Sequence, residues 1–260
     1  MPALDQQPLY CGVSTKAYLG YNASLDWMTE VAAQIRSRPW LSDSGPVRVF
    51  IMPSFPVLES ARRIFATLPV MLGAQNCGVS DGPFTGEVSA GMLAELGVAL
   101  VELGHAERRS HFGEDDAVVG RKVRAAAAAG LAPLLCVGEQ AQGSPAAAAE
   151  HCLRQVRAAV GPVGASPAGL MLAYEPVWAI GAARPAPHDY VNQVAALLRA
   201  RLGPGIPVLY GGSAGPGLLP RLTAVDGLFL GRFAHEPSHL GLVLDEALAL
   251  RTPVPGPSGG

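Results

Sequence analysis

Residues 170–181 read Leu170-Met171-Leu172-Ala173-Tyr174-Glu175-Pro176-Val177-Trp178-Ala179-Ile180-Gly181. Five apolar or aromatic residues run without interruption and stop at a carboxylate followed by a proline. A strand that shows no polar alternation is covered on both faces, as strands of a parallel sheet are. Runs of the same kind recur in both directions from this one, at Pro8–Val13, Val47–Met52, Val70–Ala74, Val98–Leu103, Leu131–Val137, Ile206–Tyr210 and Gly227–Leu230. Amphipathic stretches separate them, over Leu25–Ser37, Val57–Ala66, Val88–Leu96, Ala117–Ala129, Ala146–Val160, Asp189–Arg201, Leu218–Leu222 and Leu240–Leu250.

Strand and helix in alternation predict right-handed βαβ units. Eight such units in 260 residues suit closure into one α/β barrel. An open, doubly wound sheet is the alternative, but no GxGxxG follows the first run to support it.

Hydrophobic residues make up 49% of the chain and charged residues 15%, enough apolar material for a large core. Linkers are short and composition does not shift, so residues 1–251 read as one domain. The Pro/Gly/Ser-rich stretch 252–260 is expected to be a disordered tail. The formal net charge is −2 with no basic tract, which argues against a nucleic-acid partner. The start MPALDQQPLY lacks a signal-peptide pattern, and no apolar run reaches the roughly 20 residues of a membrane span. A cytoplasmic protein with no membrane partner is expected. Cys11, Cys77, Cys136 and Cys152 are scattered without CxxC spacing, so reduced thiols are expected rather than a zinc site or disulfides.

In an α/β barrel the active site lies where the strands end, which singles out the polar residues just after each apolar run. These are Ser14–Lys16, Gln75–Asn76, His105–Arg109, Glu175, Gly211–Ser213 and Gly231–Arg232. Taken singly, each has a plain structural reading. Lys16 could be a solvated surface lysine, or a fixed cation that attracts phosphate and polarises a carbonyl. His105 could be a satisfied structural histidine, or a neutral donor to a substrate oxygen. Glu107 could pair with Arg108 or Arg109, or orient Lys16 or His105. Glu175 could cap the next helix, or act as a base whose pKa is raised by apolar neighbours such as Trp178 and Ile180. Gly211-Gly212-Ser213 could be an ordinary turn, or a place where backbone N–H groups hold a phosphate. Together they supply a cation, a donor, a base and an anion cradle, the set an enediolate proton transfer needs.

The segments carrying these residues, GAQNCGVSDGPFTGEVSA, GHAERRSHFGE, LAPLLCVGE, AYEPVWAIG, YGGS and DGLFLG, resemble triosephosphate isomerase in order and spacing from Gly12 to Gly231. The resemblance implies a single-domain (β/α)8 TIM barrel and cofactor-free, metal-free isomerisation of a phosphorylated sugar. It places Lys16 on the family's substrate-binding lysine, His105 on the electrophilic histidine, Glu175 on the base and Glu107 on the acidic partner of the histidine motif. Ser14 falls in the first substrate-binding motif. Gly181, Gly212, Ser213, Gly231 and Arg232 fall in the phosphate-holding loops. Gln75 and Thr85 fall in the region that meets a second subunit, so a homodimer is implied, and a loop closing after Trp178 is expected to exclude water.

The chain also departs from the family pattern. Ser14 and Thr15 stand where asparagine and tryptophan are usual, and Ala106 where serine is. The lid reads Gly181-Ala182-Ala183-Arg184-Pro185, and Arg232 replaces the second glycine of the last loop. The segment GLFLGRFA is similar to the branch that isomerises four-carbon ketose phosphates. Three readings follow. The first is interconversion of dihydroxyacetone phosphate and glyceraldehyde 3-phosphate. The second is the same chemistry on a tetrulose such as erythrulose phosphate. The third is a barrel that binds sugar phosphate without turnover. Whether Arg232 points into the pocket or to solvent is expected to bear on the first two.

Overall fold

The computed structural model describes residues 7–161, 166–180 and 185–252. Eight strands close into a barrel: β1 (Leu9–Ser14), β2 (Val47–Met52), β3 (Val70–Ala74), β4 (Leu100–Leu103), β5 (Ala132–Val137), β6 (Met171–Tyr174), β7 (Val208–Tyr210) and β8 (Gly227–Leu230). All neighbours are parallel, and β1 closes the ring by pairing Tyr10 to Val13 with Gly227 to Leu230 of β8. Three expected strands match without adjustment, β1 lies one residue later than expected, and the rest are trimmed for local reasons. β4 starts at Leu100 because the Val98 N–H bonds to the Leu93 carbonyl and closes the preceding helix. β7 starts after Pro207, which has no N–H to give the ladder.

The helices are α1 (Tyr21–Arg36), α2 (Leu58–Ile64), α3 (Ala90–Glu95), α4 (Ala106–Phe112), α5 (Asp116–Ala128), α6 (Pro145–Val160), α7 (His188–Leu202) and α8 (Pro237–Arg251). Two differ from expectation. The predicted helix over Leu218–Leu222 is one 3-10 turn, Leu219–Arg221, with Pro220 inside it. The helix α4 was not predicted at all. None of its residues is buried, so it has no apolar stripe to read, and it is fixed instead by its ends. His105 caps its start, and Gly113 ends it in the left-handed conformation at φ 66°.

Phe50, Met52, Leu100, Leu134, Met171, Leu209 and Phe229 fill the barrel lumen. Gly12 makes room for one of them, since a Cβ there would lie 1.9 Å from Phe50 Cζ. A second, larger cluster lies between the strands and the surrounding helices. All four cysteines are free and buried, and burial pushes each thiol up, Cys77 to about 11 and Cys11 to about 12. Among the described residues no helix is long and apolar enough to cross a membrane. Nor does any cluster of His, Cys, Asp and Glu there match a metal site. The proposed tail lies, apart from Thr252, outside the described residues.

Candidate active site

β1 delivers Lys16 in a conformation that its sequence neighbours alone do not explain. Its φ is 51°, the one left-handed non-glycine backbone among the described residues, which costs about 1–3 kcal/mol. Its carbonyl is pinned from two sides. Ser54 Oγ donates to it at 2.8 Å and Gln75 Nε2 at 3.1 Å, while Gln75 also reaches the Met52 carbonyl at 2.9 Å. Gln75, expected at a subunit contact, therefore has its amide engaged within the chain, fixing the lysine. Thr85 lies exposed on the loop after β3. Lys16 Nζ sits 2.6 Å from Glu107 Oε1.

β4 and α4 deliver His105 and Glu107. His105 Nδ1 accepts the Glu107 backbone N–H at 3.1 Å, which leaves the ring proton on Nε2. Burial first, then the Lys16 charge, push the His105 pKa down to about 4. The ring is thus a neutral donor aimed into the barrel mouth, the arrangement for which triosephosphate isomerase is itself the standard example. Buried ion pairs hold the short helix in place. Arg108 Nε reaches Glu114 at 2.5 Å, and Lys122 Nζ reaches Glu114 at 2.6 Å and Asn76 at 2.8 Å. Arg108 and Arg109, whose Nη1 pairs with Asp116 at 2.6 Å, are therefore scaffold, and Glu107 is left free to meet Lys16.

Glu175 ends β6 and is 3% exposed. Its Oε2 lies 3.2 Å from His105 Nε2 but in no aligned hydrogen bond. Two glycines make its position possible. A Cβ on Gly211 would meet Glu175 Oε1 at 2.4 Å, and one on Gly138 would meet the Glu175 carbonyl oxygen at 1.8 Å. Burial, with Glu102 and Glu107 adding and Lys16 opposing, raises its pKa well above the ordinary carboxylate value. A base works deprotonated, so kcat/KM should rise with pH through that raised value. A pH profile of kcat/KM checks this, and a rate that does not rise with pH across the acid range would contradict the assignment.

Lys16, His105, Glu107 and Glu175 line one cavity of about 640 Å³ with Ser14, Gly212, Ser213, Gly231 and Arg232. Gly231 has nothing within 4 Å of a built Cβ, so its backbone faces open space. Arg232 lines the mouth while remaining exposed, its guanidinium 6.0 Å from the Tyr18 ring. It neither fills the pocket nor leaves it. Gly181 and the altered lid residues Ala182, Ala183 and Arg184 lie outside the described residues.

Two carboxylates escaped the sequence reading. Glu139, at the end of β5, accepts at one oxygen from Trp178 Nε1 at 2.7 Å, Tyr190 OH at 2.9 Å and Tyr174 OH at 3.2 Å. It thereby ties the segment after Glu175 to the barrel. Glu102 lies inside β4, 4% exposed, and accepts from Ser14 Oγ at 2.8 Å. Its signal was a lone charge inside an otherwise apolar run, which a strand buried on both faces does not tolerate without a use.

A closed (β/α)8 barrel whose strand ends bring together a lysine, a neutral histidine and a buried carboxylate defines an isomerase of the aldose–ketose class. The chain belongs to the triosephosphate isomerase family, whose model matches residues 10–247. It is 44% identical over 256 residues to an L-erythrulose-1-phosphate isomerase of Pectobacterium atrosepticum, covering 95% of this chain and 98% of that one. Its counterpart of that name in Rhizobium etli is 45% identical over 200 residues, 72% of this chain and 75% of that one. A triosephosphate isomerase of Synechococcus sp. is 35% identical over 206 residues, 77% and 81%. The crystal structure of triosephosphate isomerase from Bartonella henselae superposes with a TM-score of 0.77 at 31% identity, covering 94% of this chain and 99% of that one.

Proposed function

We propose that the chain isomerises a phosphorylated four-carbon ketose, L-erythrulose 1-phosphate, rather than the three-carbon pair. The observation that carries this is the 44% identity, over nearly the full length of both chains, to a relative bearing that substrate's name. The arrangement of Lys16, His105 and Glu175 supports the chemistry and by itself does not depend on the length of the sugar.

In erythrulose 1-phosphate the carbonyl is at C2, with the phosphate-bearing carbon on one side and a hydroxyl-bearing C3 on the other. Glu175 takes the proton from C3. Nε2–H of His105 and the Lys16 ammonium stabilise the charge that develops on the carbonyl oxygen. The hydroxyl proton then passes from the C3 oxygen to the C2 oxygen, and Glu175 returns its proton to C2. The carbonyl has moved to C3, no atom is gained or lost, and no co-reactant is needed. Gly212, Ser213 and Gly231 offer backbone N–H groups to the phosphate, with Arg232 at the mouth. We place Thr85 against a second copy of the chain, in a cytoplasmic homodimer.

Purified protein should give a kcat/KM for L-erythrulose 1-phosphate at least tenfold above that for dihydroxyacetone phosphate or glyceraldehyde 3-phosphate. The reverse order would move the chain to the three-carbon reading, which its 35% identity to the Synechococcus enzyme keeps as the second choice. Sedimentation of the same sample as two chains rather than one tests the dimer.

A further inference from the structure

The mechanism above leaves one buried carboxylate without a task. Glu102 lines the cavity from β4, three residues before His105, on the strand whose Leu100 belongs to the apolar lumen cluster with Leu134 and Phe229. Its bond to Ser14 Oγ joins β4 to β1, two strands that are not neighbours, and so spans the lumen. The bond to Ser14 is made through Oε2. A carboxyl group in an apolar barrel is costly, and a serine hydroxyl is a weak reason to keep it there.

Its position suits a polar group of the substrate. The phosphate groups gather at the ends of β7 and β8, at Gly212, Ser213 and Gly231, while Glu102 and Ser14 lie within β4 and at the end of β1. Lys16, His105 and Glu175 line the same cavity. A ligand anchored at its phosphate and reacting beside these three extends its far end towards Glu102. A three-carbon substrate ends at the reacting carbon, whereas a tetrulose continues by one CH2OH.

We propose that Glu102, with Ser14, binds the terminal hydroxyl of a four-carbon substrate and so sets the length of sugar the site prefers. This rests on the tetrulose reading given above. Burial raises the Glu102 carboxyl to about 7, so near neutrality both its accepting and its donating forms are present for a hydroxyl.

The test compares kcat/KM on L-erythrulose 1-phosphate, its 4-deoxy analogue and dihydroxyacetone phosphate for wild type, Glu102→Gln and Glu102→Leu. Melting curves and 2-phosphoglycolate binding verify that each variant is folded with its phosphate cradle intact. In Glu102→Leu the ratio of tetrulose to triose kcat/KM should fall roughly 10- to 100-fold. Wild type should discriminate against the deoxy analogue by a similar factor, and Glu102→Leu should not. If Glu102→Leu does not fold, the discrimination against the deoxy analogue in Glu102→Gln decides, and should shrink at least several-fold. An unmoved ratio, or an equal fall on both substrates, would mean that Glu102 merely positions Ser14 or tunes Glu175, and the proposal is overturned. The function reading fails in a different way: wild type itself would prefer the triose, which removes the hydroxyl and sinks both.

Discussion

Glu175→Gln should lose about 10²- to 10⁴-fold in kcat while melting at the same temperature as wild type or higher. The two effects have one cause. Glu175 is buried beside Glu102 and Glu107, and its pKa in the fold lies well above its unfolded value of about 4.5. A folded pKa that is raised means the folded protein holds the proton more tightly than the unfolded chain. Glu175 therefore favours folding below the unfolded value, and that contribution is lost as pH rises through the folded one. Glutamine has the same shape and never ionises, so it avoids that loss. The melting temperature of the variant should accordingly gain on wild type as pH rises from about 5 to 8. Activity lost together with stability would indicate a collapsed site. Activity retained would remove Glu175 from the chemistry.

Lys16→Met should lower kcat/KM by about 10²- to 10³-fold, through lost charge stabilisation and weaker phosphate binding. Burial works against the Lys16 charge, but its bond and attraction to Glu107, with Glu175 and Glu102 adding, outweigh that and hold its pKa above the ordinary lysine value. The ammonium thus faces three carboxylates, and methionine leaves them facing one another. Since Lys16 is the group that pulls the Glu175 pKa down, its loss should move the acid limb of the residual activity to higher pH. That displacement separates a charge at the site from a lysine that only shapes the backbone. A loss below tenfold with an unmoved limb would contradict the role given to Lys16.

Much of this site could be read in the sequence because a parallel barrel writes it in two plain signs. Continuous apolar runs marked the strands, and the polar residue after each run marked the rim, which is how Lys16, His105, Glu175 and the Gly211–Ser213 turn were found. What escaped depends on contacts between distant segments. Glu102 was passed over as one letter inside the run Val98–Leu103, because only the closed barrel reveals that Ser14 stands opposite. The role of Gln75 depends on the left-handed turn at Lys16, to which no residue type is bound. The helix α4 has no buried face, so no hydrophobic period announced it. The need for glycine at 211 and 138 appears only when the Glu175 side chain and carbonyl are in place against them.

The four buried cysteines have a practical consequence. A thiol reagent attacks thiolate, and here each thiol is both enclosed and held in its protonated form. Alkylation then proceeds only while the barrel is open, so the labelling rate in a mild denaturant is a clock for opening. Cys11 in β1, Cys77 after β3, and Cys136 in β5 with Cys152 in the α6 that follows it mark three sectors of the ring. Mass spectrometry of the individual tags would therefore show whether the ring parts at one seam or all at once.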